Sequence, residues 1–274
     1  MKGDFHIHSN ISDCDFTPDE IGKKAIELGL THIALTDHDI ITDDDIIKKV
    51  EEKYKIKVIK GIEISAYDYE NNKKVHILGY GKLGENTKEL CKNTCRERHE
   101  LSKKIYEIIK NEGYNISWEN IENYAGKTGV FKQHIMLELI NKGYTANIYG
   151  ELYKKLFKNH GIVAHLSIDY AKAQDAVKAI KKDGGIAVIA HPAQYKNEDI
   201  IPELVNLGLD GIEVYHQKHT EKDFTELLKI AEKYNLLITG GSDFHGNMDK
   251  EYVELGSSFI DGENLEKFLK ILEI

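Results

Sequence analysis

Histidines and carboxylates recur in this chain at the points where apolar runs end. His6-Ile7-His8 stands almost at the start, with Asp13 five residues on. Asp37-His38-Asp39 follows a second apolar run, Glu63 follows a third, and His76 sits in a fourth. Late in the chain come His191-Pro192 and Ser242-Asp243-Phe244-His245. Residues i and i+2 of a strand face the same side, so His6 and His8 can grip one ion together. Imidazole with carboxylate suits divalent ions such as Zn, Mn or Fe. Six imidazoles with Asp13, Glu63 and Asp243 exceed what one ion needs, so two or three ions sharing a bridging carboxylate are expected. One histidine at a strand end is more often a structural residue than a ligand; the joint placement carries the reading. His32, His99, His160, His165, His216 and His219 lack that placement and are read as structural or surface groups. Asp4, Asp37 and Asp39 either orient imidazoles or are ordinary turn acids.

The elements that must position these groups alternate. Phe5 and Ile7 mark a first strand. Thr17-Pro18-Asp19-Glu20 is a helix start, with Thr as N-cap and Pro in the first turn. That helix should run to about Leu28 and end at Gly29. His32 to Thr36 is a second strand, Asp43 to Tyr54 a second helix, and Lys57 to Ile62 a third strand. A hairpin should follow, from Glu63 to Tyr69 and from Val75 to Tyr80, turning at Asn71-Asn72. Helical patterns dominate from Thr87 to His165. Alternation then returns: helix 171–182, strand 186–190, strand 212–215, helix 220–234, strand 236–239. The expected fold is an α/β barrel of about seven strands over residues 1–86 and 166–274, with residues 87–165 inserted as a helical cap. In such barrels functional groups collect at the C-terminal ends of strands.

Composition limits the partners. The chain has 274 residues, 41% hydrophobic and 30% charged, as in an ordinary globular protein. A formal net charge of −9 argues against a long nucleic acid as partner. It leaves room for a small phosphorylated substrate, because bound cations add charge that composition does not count. No apolar run reaches membrane length and the N-terminus does not read as a signal peptide, so the expected location is cytoplasmic. Cys14, Cys91 and Cys95 lack the paired spacing of a thiolate zinc site and are read as reduced thiols.

Asp4-Phe5-His6-Ile7-His8, Ser12-Asp13, Leu35 to Asp39, Gly61 to Ser65, His76 to Gly79, Gly184 to Pro192 and Gly241 to His245 together resemble the PHP (polymerase and histidinol phosphatase) superfamily. The match spans almost the whole chain. With its helical insertion the chain looks like the branch that hydrolyses nucleoside 3′,5′-bisphosphates and trims short RNA from the 5′ end. The resemblance implies a distorted seven-stranded TIM-like barrel holding three metals, usually manganese, iron or zinc. One ion would take His6, His8, Glu63 and Asp243. A second would take Asp13, His38 and His245. A third would take Glu63, His76 and His191, with Glu63 as bridge. His134 and Asp37 are the candidate catalytic groups. Arg98, Arg96 and Lys132 either hold a substrate phosphate or belong to a solvated helix face. The family's Arg-Pro-His is Lys132-Gln133-His134 here, which replaces a bidentate fork with a point charge. Its Ser-Asp-Gly is Ser12-Asp13-Cys14.

The expected reaction is hydrolysis of a phosphate monoester of a nucleotide, or of the 5′ end of a short oligonucleotide. Clustered cations make hydroxide available near neutral pH and neutralise phosphoryl oxygens. His134 or water would protonate the leaving group. Rival readings are a histidinol-phosphate or other small-molecule phosphatase, an amidohydrolase on a similar barrel, and a metal-binding scaffold without activity.

Overall fold

Short β-branched runs and capped amphipathic helices build the molecule, seen here in a computed structural model that describes residues 1–158 and 160–273. β1 (Lys2–Ile7) and β2 (His32–Leu35) are parallel neighbours, joined through α1 (Pro18–Glu27). At the start of α1, Thr17 and Glu20 form a reciprocal capping box and Pro18 occupies the first turn. The helix then turns Ile21 and Ala25 onto Ile33 and Leu35. α2 (Asp44–Tyr54) leads to β3 (Lys57–Asp68), parallel to β2. β3 runs unbroken through 12 residues, where the sequence suggested a strand followed by a separate hairpin arm. Its second half pairs antiparallel with β4 (Lys73–Tyr80), in register from Gly61 opposite Tyr80 to Asp68 opposite Lys73.

The inserted stretch holds α3 (Glu85–Asn111), α4 (Trp118–Tyr124), α5 (Lys132–Asn141) and α6 (Glu151–Phe157). It has its own apolar centre, in which Ile105 and Ile109 meet Ile121, Val130, Ile135, Leu139 and Leu156. α3 belongs to two cores. Cys91 packs into the barrel cluster with Ile62 and Val177, while Ile105 and Ile109 serve the cap. The boundary drawn at residue 87 therefore falls inside this helix, just after its start.

β5 (Ala171–Lys172) adds two residues beside β3 before α7 (Ala173–Asp183). The C-terminal Asp183 of α7 accepts from the backbone N–H groups of Gly84 (2.9 Å), Asn86 (3.2 Å) and Thr87 (2.9 Å), and so caps α3 from outside. β6 (Ile186–Ile189) pairs antiparallel with β4. After the short α8 (Pro192–Tyr195) and α9 (Ile201–Asn206), β7 (Gly211–His216) restores parallel pairing. α10 (Glu221–Tyr234) leads to β8 (Leu237–Gly241), again parallel. The chain ends in β9 (Ile260–Asp261), antiparallel to β1, and α11 (Gly262–Ile271).

The sheet closes where β8 runs out beside β1. Ile7 bridges Phe244, His8 N–H donates to Phe244 O at 3.0 Å, and Asp243 N–H donates to His6 O at 2.8 Å. This seam requires glycine at 241, where a Cβ would lie 2.3 Å from His6 Cβ. The result is an α/β barrel of seven main strands, distorted from a (β/α) barrel because β4 runs against its neighbours. At the end where β4 finishes, Phe268 of α11 packs on Phe5 and Tyr80. Among the described residues, no helix is long and apolar enough to cross a membrane.

Candidate metal centre

The strand ends converge as the barrel rule requires, and the point of convergence is Glu63. This carboxylate, 1% exposed, lies within reach of five imidazoles. Its Oε2 is 3.4 Å from His6 Nε2, 3.2 Å from His8 Nε2 and 3.1 Å from His38 Nδ1. Its Oε1 is 2.7 Å from His76 Nδ1 and 3.0 Å from His191 Nε2. β3 supplies Glu63, β4 supplies His76 across the hairpin, and the second residue after β6 is His191. Asp243 Oδ1 stands 3.4 Å from His6 Nε2 and 3.3 Å from His8 Nε2. Asp13 Oδ1 lies 3.5 Å from His245 Nε2 and 3.7 Å from His8 Nδ1.

Three overlapping sets result: His6, His8, Glu63 and Asp243; His8, Asp13, His38 and His245; and His38, Glu63 and His76. The first is the set expected for one ion. The second adds His8 to the expected trio. In the third His38 takes its place beside His76, while His191 reaches the same carboxylate from the other side.

The donors fit divalent cations. His6 Nε2, both nitrogens of His8, His38 Nδ1 and Glu63 Oε2 are buried and have no hydrogen-bond partner. Buried polar atoms left this way are costly, and cations satisfy all of them at once. His6 is already oriented for the purpose: its Nδ1–H donates to Glu213 Oε1 at 3.0 Å, which turns the Nε2 lone pair inward.

Charge is balanced inside the cluster. Burial alone would lower the His6 pKa, but Glu213, Glu63 and Asp243 hold it well above its ordinary value. His8 is held at about 10 against burial by the neighbouring carboxylates of Asp243, Glu63 and Asp13. Burial would raise Glu63, yet His38, His76 and His6 bring it well below the usual carboxylate range. Asp13 is brought down to about 2 against burial by His245, His38 and His8. The acids thus favour protons on His6 and His8, while burial lowers His38 to about 4 and lowers His76, so cation uptake competes with protons at the first two.

The backbone is bent to achieve this. His191 (φ 28°), Asp243 (φ 55°) and Asp39 (φ 58°) occupy left-handed conformations unusual for residues with a Cβ. Each is pinned by a hydrogen bond from its own N–H. His191 donates to Glu213 Oε2 at 2.7 Å, Asp243 to His6 O at 2.8 Å, and Asp39 to Glu63 O at 2.9 Å.

The acids read as orienting groups hold loops rather than imidazoles. Asp37 accepts from Ser9 N–H (2.8 Å), Ser9 Oγ (2.8 Å) and Ser12 Oγ (2.7 Å), and so sets the loop that carries Asp13. Asp4 receives Ser242 N–H, Ser242 Oγ and Gly256 N–H. Two residues that sequence reasoning missed do touch the cluster. Glu213 joins His6 to the His191 backbone, and its signal was a lone acid inside the apolar run Ile212–Val214. His216, read as structural, places Nε2 3.3 Å from Asp243 Oδ2.

Asp13, His38 and His76 open onto a cavity of about 650 Å³, walled by the β3–β4 hairpin, by residues 166–170 and by the cap. His134 is buried near its rim, at the start of α5. Its Nδ1 accepts the Phe131 N–H at 3.1 Å, so the neutral ring carries its proton on Nε2. Burial lowers its pKa to about 4, which keeps it neutral at pH 7. Lys132 lines the cavity. Arg98 lines it too, but its guanidinium is ion-paired with Asp39, donates to Ser65 Oγ and stacks on Phe131. Arg96 does not line it. Two helical residues from Arg98, it faces solvent with its side chain 62% exposed, which removes it from the phosphate-binding candidates.

A family model described as PHP domain matches residues 4–189. A phosphoribosyl 1,2-cyclic phosphate 1,2-diphosphodiesterase of Eggerthella lenta is 38% identical, over 91% of this chain and 96% of that protein. A 3′,5′-nucleoside bisphosphate phosphatase of Chromobacterium violaceum is 27% identical over 88% of this chain and 86% of that protein. A solved structure from Bifidobacterium adolescentis, described as a metal-dependent phosphoesterase, superposes with a TM-score of 0.87 at 25% identity, covering 98% and 96% of the two chains. Barrel, ligand cluster and relatives together define a metal-dependent phosphoric ester hydrolase. The chain belongs to the PHP domain family.

Proposed function

We propose that this enzyme hydrolyses phosphate esters of a small phosphorylated ribose, at two or three divalent ions held by His6, His8, Asp13, His38, Glu63, His76, His191, Asp243 and His245. The observation that carries the chemistry is the position of Glu63, one buried carboxylate facing five imidazoles, two of which, His38 and His76, line an open cavity. Such ions neutralise phosphoryl oxygens and make hydroxide available near neutral pH. The protein's own residues do the rest. Glu213 fixes the His6 tautomer, Asp37 holds the Asp13 loop through Ser12, and His134 offers an Nε2–H as a neutral hydrogen-bond donor to a phosphoryl or leaving-group oxygen.

The 38% identical relative favours a phosphoribosyl cyclic phosphate as substrate. A second reading, a nucleoside 3′,5′-bisphosphate or the 5′ end of short RNA, is favoured by the aromatic rings on the cavity wall. Tyr67, Phe131, Tyr153, Tyr170 and Tyr195 offer faces on which a base could stack.

The test is a panel of esters on protein of measured metal content: 5-phosphoribosyl 1,2-cyclic phosphate, nucleoside 3′,5′-bisphosphate, histidinol phosphate and 5′-phosphorylated short RNA. The highest kcat/KM is expected on the first. His6→Ala and Asp243→Ala should lose both bound metal and turnover. Hydrolysis that survives complete removal of metal by chelator would overturn the mechanism.

A further inference from the structure

The cavity wall beside the ligands carries cations that the cluster does not use. Lys74 lies on β4 two residues before His76. Residues i and i+2 share a strand face, and their Cα atoms lie about 7 Å apart. The cross-strand pairs agree, since Ser65 faces His76, Tyr67 faces Lys74, and all four line the same cavity. Lys132 enters from the first residue of α5 and Lys158 from the residue after α6. Lys132 feels the charge of both other lysines, and Lys74 that of Lys158.

Among the described residues none of the three forms an ion pair. The cavity's own carboxylates are Asp13, at the floor, and Asp169, beside Tyr69. Other lysines, such as Lys73 with Asp199 and Lys181 with Asp210, do find acids; these three are set apart because they line one cavity together without one. Three like charges drawn together from a strand and two helices repel one another, and an anion with several acceptor oxygens relieves that repulsion.

We propose that Lys74, Lys132 and Lys158 form a second phosphate site, which holds a phosphate of the substrate other than the one hydrolysed. Lys74 shares a strand face with the ligand His76 two residues away, which sets the site beside the metal cluster. The substrate class is thereby a ribose bearing a reacting phosphoester at one end and an intact phosphate at the other. Arg98 is not part of this site, because Asp39 already neutralises it. The inference rests on the phosphorylated-ribose reading for its substrate, but the lysines can be tested apart from it.

The experiment compares kcat/KM of the metal-loaded enzyme for 5-phosphoribosyl 1,2-cyclic phosphate and for ribosyl 1,2-cyclic phosphate, which lacks the 5-phosphate. The ratio of the two should fall at least tenfold, roughly the worth of one charge-assisted hydrogen bond, in the Lys132→Ala/Lys158→Ala double variant and in Lys74→Ala. Lys73→Ala, on the opposite face of the same strand, should keep the ratio. A ratio that stays constant in the lysine variants overturns the site, even if both activities drop together. If neither ester is turned over, the cyclic-phosphate reading fails on its own. The lysines are then judged by calorimetry with ribose 5-phosphate, where binding weakened about tenfold in the double variant supports the site and equal binding overturns it.

Discussion

In the ligand cluster beneath the cavity charges answer one another. Glu63, Asp243 and Asp13 lie among imidazoles, and Glu213 backs His6. On the wall, Arg98 is answered by Asp39 while Lys74, Lys132 and Lys158 have no carboxylate partner among the described residues. The difference separates charges that the fold uses from charges that remain available to a ligand. A cation already paired and stacked is a strut. A cation held near others of its own sign, facing an open cavity, is a binding group.

That distinction can be broken by experiment. Arg98→Ala should act first on stability, because it strands Asp39 as an uncompensated buried charge; the expected loss is about 3–5 kcal/mol, read by denaturant or thermal unfolding. A variant of unchanged stability that binds substrate poorly would put Arg98 back among the binding groups. Glu213→Gln keeps the shape but removes the carboxylate that sets the His6 tautomer and answers its charge. Metal affinity or activity should fall about 10–100-fold with the protein still folded, measured by metal titration and turnover. An unchanged metal affinity would show that His6 needs no backing.

The smallest effect expected is at Asp183, where a carboxylate caps α3 from the neighbouring helix. Asp183→Ala should cost about 1 kcal/mol. The carboxyl is held below its ordinary range, opposing burial, by hydrogen bonds from Asn86, Thr87 and Gly84. Its contribution is therefore present above the unfolded pKa of about 4 and lost as pH falls further. The difference in stability between wild type and Asp183→Ala should shrink in acid; a constant difference would mean that the carboxylate's charge plays no part.

Much of the floor was legible in the sequence because its signal is periodic and local. Histidines and acids follow apolar runs, and His6-Ile7-His8 declares its shared face. Arg96 was also decidable, since two residues along a helix turn a side chain to the far side. Glu213 and His216 were harder. Which face of β7 looks inward is set by its neighbours in the sheet, and a single histidine at a strand end has an ordinary explanation. Lys74 and Lys158 left no trace at all: a lysine in a strand or after a helix is unremarkable until the cap folds down beside it. β5 and β9, of two residues each, are too short for alternation to register.

The double allegiance of α3 bears on how such enzymes can be rebuilt. Its 27 residues make a rod of about 40 Å that is seated in the barrel near Cys91 and carries the cap beyond Ile105. A chimaera that exchanges only the segment following this rod would leave half a core facing foreign side chains. Grafts that take the whole rod, together with an acid at position 183 to receive its N-terminus, keep both seats intact. Recombination points between members of the family are thus expected before Gly84 and after the cap, not within the helix.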